Sequence, residues 1–142
     1  MTQVDTFGVY VRARLEGWGR EFALHRDCEY LGHASRNMLQ VLIDHRGEMP
    51  PPNVGFKPLT VDEDALQVER IVSDIARENT VLACVLRAYY CGRGRRKVER
   101  WETANLLIAN AGYPVVRQRA FLEMAAVGAE MVGEVVYGRR AA

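Results

Sequence analysis

Along the first fifty residues the apolar positions recur at helical intervals. Phe7, Val11, Leu15, Trp18 and Phe22 follow one another at steps of four, four, three and four, which puts them on one side of a helix over residues 4–24. Gly8, Gly17 and Gly19 fall inside it and weaken it, each by up to about 1 kcal/mol relative to alanine. Ser35 has the chemistry of an N-cap, and Met38, Leu39, Leu42 and Ile43 form the stripe of a second helix that runs up to Gly47. MPPPNVGFKP, residues 49–58, excludes helix and central strand, because three successive prolines fix their own φ and lack N–H donors. It reads as an extended connector.

Helical periodicity returns after it. Thr60-Val61-Asp62-Glu63 has the T-x-x-E spacing of a capping box and opens a helix with Val61, Ala65, Val68, Ile71, Val72 and Ile75 inward. Asn79 or Thr80 caps the next helix, VLACVLRAYY, which is apolar almost all round and therefore central; Gly92 and Gly94 end it. A helix over residues 96–109 turns Trp101, Ala104, Leu107 and Ile108 inward. NAGYP makes a turn at about residues 110–113, with Gly112 suited to positive φ and Pro114 to the first position of the last helix. That helix has Val116, Ala120, Met124, Val127, Met131 and Val135 on one face. No stretch alternates as a strand does. The pattern predicts an all-α fold of about six helices, with a C-terminal helix-turn-helix and a long last helix. Residues 1–48 form an N-terminal helical pair, 49–59 a proline-rich connector and 60–142 a helical domain, together one compact unit.

A chain of 142 residues builds one domain with a real core. Its 49% hydrophobic and 26% charged residues exclude a disordered protein. Net charge is +1, so only the distribution of charge is informative. Between residues 61 and 78 stand Asp62, Glu63, Asp64, Glu69, Asp74 and Glu78 against Arg70 and Arg77. Between 87 and 100 stand Arg87, Arg93, Arg95, Arg96, Lys97 and Arg100 against Glu99 alone. An acidic helix thus precedes a basic joint. The cysteines, Cys28, Cys84 and Cys91, are odd in number and widely spaced, which is no disulfide framework. Cys84 and Cys91 lie seven apart on the apolar helix and are expected to pack as small hydrophobes. The chain opens on polar residues and holds no apolar run of membrane-spanning length. The expectation is a protein of the reducing cytoplasm with no membrane partner.

The basic joint changes the picture most. Arg93, Arg95, Arg96, Lys97 and Arg100 repel one another unless an anion is near, and Gly92 and Gly94 leave the backbone pliable. The helix that follows adds free N–H groups and a positive dipole end. A phosphate backbone accounts for cations in that position. The last helix carries Arg117, Gln118 and Arg119 in its first turns. Arginine and glutamine suit bidentate contact with guanine and adenine in the major groove, and the N-terminal part of the second helix of a helix-turn-helix reaches the bases. Arg119 and Arg117 could also pair with Glu123.

These segments carry a family resemblance. DEDALQVERIV, VLRAYYCGRG and ERWETANLLIANAGYPVVRQRAFLEMAAVGAEMVG, within residues 62–138, resemble the phage Q-type late-gene antiterminators and the related sigma-region-4-like phage regulators. LEGWGRE followed by YLGHASRNML is similar to that family's opening region. The resemblance implies a sigma-region-4-like helix-turn-helix that binds duplex DNA near a phage late promoter. It implies that the protein engages paused host RNA polymerase near its flap and the sigma factor, then travels with it through terminators. The DNA face implied is Arg95, Arg96 and Lys97 before the first helix, with Arg117, Gln118 and Arg119 on the second. The turn at NAGYP is longer than the family's. The alternatives are another helix-turn-helix regulator that recruits or represses polymerase, and a helical interaction module that leaves DNA alone.

Other chemistry is weaker. His25, Cys28 and His33 supply three potential metal ligands with His45 a distant fourth, and a closed zinc site needs four. Surface histidines and a buried thiol are the simpler account, and no metal or other cofactor is expected. GRGRRK lacks the spacing of a phosphate-binding loop and no strand precedes it. No enzyme is expected. Trp18 and Trp101 lie on apolar faces, which favours core packing over base stacking.

Overall fold

The computed structural model describes residues 6–25, 27–30, 33–49, 56–57 and 62–138, without the side chains of 6, 27–30, 33–36 and 56–57. In chain order these form α1 (Thr6–Glu21), β1 (Asp27–Tyr30), β2 (His33–Asn37), α2 (Met38–Asp44), β3 (Phe56–Lys57), α3 (Glu63–Glu78), α4 (Thr80–Cys91), α5 (Lys97–Asn110) and α6 (Gln118–Tyr137). The fold is all-α: six helices among the described residues supply the core. No described helix is long and apolar enough to cross a membrane.

Helix α4 is the axis. Every residue from Leu82 to Ala88 is buried, and α1, α3, α5 and α6 pack around it. Its near-continuous apolar sequence leaves it no face to give to water. Around it, α1 buries Val11, Leu15, Trp18 and Phe22, and α3 buries Ala65, Val68, Ile71 and Val72, as their periodicity indicates. The first and second helices belong to the same core as the later ones. Asn79 caps α4 by accepting the Leu82 N–H at 3.0 Å.

Two helix starts differ from the sequence reading. Helix α2 is capped by Asn37, which accepts the Gln40 N–H at 2.9 Å; Ser35 lies in β2. Helix α3 is capped by Asp62, which accepts the Ala65 N–H at 3.1 Å, so Glu63 is its first residue. Thr60 and Val61 lie outside the described residues, as do residues 50–55 of the proline-rich connector. A small antiparallel ribbon of order β2-β1-β3 also went unread. It pairs Asp27 with Asn37 and Cys28 with Arg36, then Glu29 with Lys57. These strands are too short and too polar to show alternation. Strand β3 is an edge, where neighbouring prolines are tolerated.

The charge count also needs correction. Glu69 and Arg87 belong to the interior and not to opposed surfaces. Arg87 donates from Nη1 to Glu69 Oε1 and from Nη2 to Oε2, both at 2.8 Å. Trp18 Nε1 donates to Oε1 at 3.0 Å, and Ser73 Oγ to Oε2 at 3.2 Å. One carboxylate thus ties α1, α3 and α4 together. Burial works against the charge on Arg87, but the Glu69 carboxylate outweighs it and holds the guanidinium pKa above its ordinary value.

Helix α6 departs furthest. It begins at Gln118 and not at Pro114. It buries Phe121, Ala125, Gly128, Val132 and Gly133, leaving Val127, Met131 and Val135 exposed at 55%, 39% and 54%. The reason is the crossing with α4. A Cβ on Gly128 would stand 2.8 Å from Leu86 Cδ2, so the closest approach runs over glycine, which a tally of apolar side chains omits.

The buried thiols make stability sensitive to alkali. Burial pushes Cys84 from 9.0 up to about 11 despite the opposing charge of Arg87, and pushes Cys91 up further. Burial also raises Tyr90 to about 12. A group whose pKa is raised on folding stabilises fully below its unfolded value. That stability is lost as pH rises through the folded value. Urea unfolding should therefore be constant from pH 7 to about 8.5 and weaken between pH 9 and 11, with Cys84 alone accounting for roughly 3 kcal/mol. Cys84→Ala should roughly halve the slope, Cys91 supplying the rest; a wild-type profile level to pH 11 contradicts this account.

Candidate nucleic-acid interface

The joint between α4 and α5 is a short loop, residues 92–96, closed from within. Glu99 accepts the Arg96 N–H at 3.2 Å, which caps the start of α5. Its carboxylate also stands 3.5 Å from Arg96 Nε in an exposed pair. Arg100 turns inward: its Nε donates to the Gly94 carbonyl at 3.2 Å and its Nη1 to the Tyr89 carbonyl. Arg100 thus fastens the end of α4 to the start of α5, a positioning role the sequence did not suggest. Arg93, Arg95, Arg96 and Lys97 remain exposed. They surround the N-terminus of α5, whose dipole adds positive potential.

The second basic group is held by α5. Residues 111–117 leave α5 and double back along it. Asn105 grips Val116 at both polar atoms, its Oδ1 accepting the N–H at 2.9 Å and its Nδ2 donating to the carbonyl at 3.1 Å. Trp101 Nε1 donates to the same carbonyl at 2.8 Å. These bonds replace helical ones, which is why Pro114 does not start the helix and the two valines before Arg117 stay outside it. Arg117 is the N-cap of α6, with extended backbone at φ −75° and ψ 156°. Arg117, Gln118 and Arg119 are all exposed. Arg119 lies 3.3 Å from Glu123, but that pair is open to solvent and weak. Trp101 is four residues along α5 from Lys97, about 6 Å of axial rise. The structure therefore brings the start of α6 beside the first turns of α5.

A cleft of about 670 Å³ opens between the end of α1 and the joint. Arg20, His25, Arg95, Lys97 and Arg100 line it, with Glu16 the one acid among the described lining residues. Sequence reasoning did not place Arg20 here and read His25 only as a possible metal ligand; both lie far away in the chain. Gly19 was the available signal. A Cβ there would stand 1.9 Å from the Tyr90 carbonyl oxygen, so α1 meets α4 without an intervening side chain. The Leu24 N–H then donates to the Cys91 carbonyl at 3.0 Å, fixing the chain after α1 against the end of α4. A second cleft of about 500 Å³ between α1 and α6 shares Tyr89 and Tyr90 with the first.

Of the possible metal ligands, His25 lines the basic cleft and the His45 ring Nδ1 lies 3.0 Å from the Val41 carbonyl oxygen. The side chains of Cys28 and His33 lie outside the described residues. Trp18 is a core residue, and Trp101 is partly buried at the connector. No family model, no curated protein and no solved structure matches the chain, so the chemistry of the site rests on its own residues.

Proposed function

We propose that the protein is a transcription regulator that binds duplex DNA, of the kind the resemblance names: a Q-type antiterminator that engages host RNA polymerase. The observation that supports it is the grip of Asn105 and Trp101 on Val116. It holds the residue before an exposed Arg-Gln-Arg turn against α5, the helix whose N-terminus carries the exposed cations of the joint. In this reading Arg93, Arg95, Arg96 and Lys97 hold phosphates and set the register, while Arg117, Gln118 and Arg119 meet base edges. The two helices act as a helix-turn-helix with a seven-residue connector.

Fluorescence anisotropy with promoter-derived and random duplexes tests it. Arg117→Ala and Gln118→Ala should each cut the preference for the selected sequence by about 10- to 100-fold. Arg95→Ala and Arg96→Ala should weaken all duplexes alike. Loss of preference in none of these variants removes the base-reading role. A terminator read-through assay separates an antiterminator from a regulator that only recruits or represses polymerase. A second reading, a helical interaction module, draws on the exposed row Val127, Met131 and Val135. Absence of binding to any duplex at low salt favours that reading.

A further inference from the structure

We infer that the cleft between α1 and the α4–α5 joint is a phosphate-binding site in its own right, in which Arg20 and His25 act with Arg95 and Lys97. It rests on the reading of the joint as an anion-binding surface and extends that surface to the N-terminal helix. The ligand chemistry is a phosphate group, either in a nucleic-acid strand or on a free nucleotide.

The argument begins with charge. Arg20, Arg95, Lys97 and Arg100 are cationic side chains on the wall of one concavity, opposed among its described residues by Glu16. Arg100 is already engaged by two backbone carbonyls, and among the described residues no ion pair engages Arg20, Arg95 or Lys97. Cations of one sign in a cleft with low-dielectric walls raise the local potential and concentrate anions. Lys97 is also the first residue of α5, so the positive end of that helix begins on the same lining. The volume, about 670 Å³, exceeds what a lone phosphate fills and falls within the range of small-ligand sites. Tyr89 and Tyr90 also form part of the lining.

Two segments distant in sequence make this wall, and the fold fixes their meeting. Gly19 allows α1 to touch the Tyr90 backbone, and the Leu24 to Cys91 hydrogen bond holds the segment that bears His25. Neither half of the cation set forms the cleft alone.

The test is calorimetric titration of the full chain at low salt with inorganic pyrophosphate, ATP, a short single strand and a short duplex. Arg20→Ala, Arg20→Glu and His25→Ala are compared with Arg77→Ala, a solvent-exposed arginine on α3 outside the cleft. Arg20 is exposed on the last turn of α1, and melting curves confirm that each variant folds. Arg20→Ala should weaken the phosphate ligand at least about 10-fold, Arg20→Glu should abolish its binding, and Arg77→Ala should leave it unchanged. ATP and pyrophosphate binding without strand binding identifies a free nucleotide as the ligand. Strand binding that pyrophosphate displaces identifies a nucleic acid. If no phosphate ligand binds the wild type, or the Arg20 variants bind as the wild type does, the proposal is overturned. Duplex binding lost in Arg117 variants but kept in Arg20→Glu, with pyrophosphate and ATP bound by the Arg20 variants as by the wild type, overturns the cleft and spares the proposed function. Arg20-dependent nucleotide binding with no duplex binding does the reverse.

Discussion

Glu69→Ala is expected to lower folding stability by about 3–5 kcal/mol. The substitution leaves the Arg87 guanidinium, 1% exposed, without its counter-charge. It also strips the acceptor from Trp18 Nε1 and from Ser73. Loss of one member of a buried pair is far costlier than loss of both, because the remaining charge stays desolvated. The double replacement Glu69→Leu with Arg87→Met should accordingly be much closer to wild type than either single change, a coupling that a double-mutant cycle measures. Urea unfolding followed by circular dichroism provides the numbers, and the thermal midpoint of Glu69→Ala should fall by roughly 10 °C. A Glu69→Ala protein within 1 kcal/mol of wild type, on the scale of an ordinary surface change, would show that the network contributes little.

The second large effect concerns salt. Arg93, Arg95, Arg96 and Lys97 at the joint offer about four phosphate contacts, and the logarithm of affinity should fall against that of salt with slope about −3.6. Between 50 and 200 mM monovalent salt the duplex affinity should then drop about 150-fold. The slope discriminates more sharply than affinity. A protein that touches bases or a protein partner without releasing counterions gives a shallow line, and a flat response excludes direct phosphate binding. Removing Arg95 should make the slope shallower by about one.

The elements that were legible in the sequence are those whose stability comes from one apolar face. Val11, Leu15, Trp18 and Phe22 announce α1 and its inward side together, and Leu82 to Ala88 announce a central helix because no polar residue but Arg87 interrupts them. What stayed hidden depends on partners far away in the chain. Glu69 and Arg87 look like surface charges until folding brings them together. The face of α6 is chosen by Gly128 against Leu86, where the decisive feature is a missing side chain. The start of α6 is delayed by an amide on another helix, Asn105, that no rule of local propensity includes. At the candidate site the joint cations and the Arg-Gln-Arg turn could be read from sequence. Arg20 and His25 could not, because the glycine that admits them looks locally like a defect in α1.

The hold of Asn105 on both polar atoms of Val116 makes α5 a ruler. The separation of the two cationic turns is measured from that amide, whatever length of chain links them. The loop around Gly112, where an added Cβ would meet nothing within 4 Å, can therefore grow at a cost that rises only logarithmically with its length. Insertions there lengthen a solvent-side detour and leave Arg117 in register, whereas shortening the loop pulls directly against the amide.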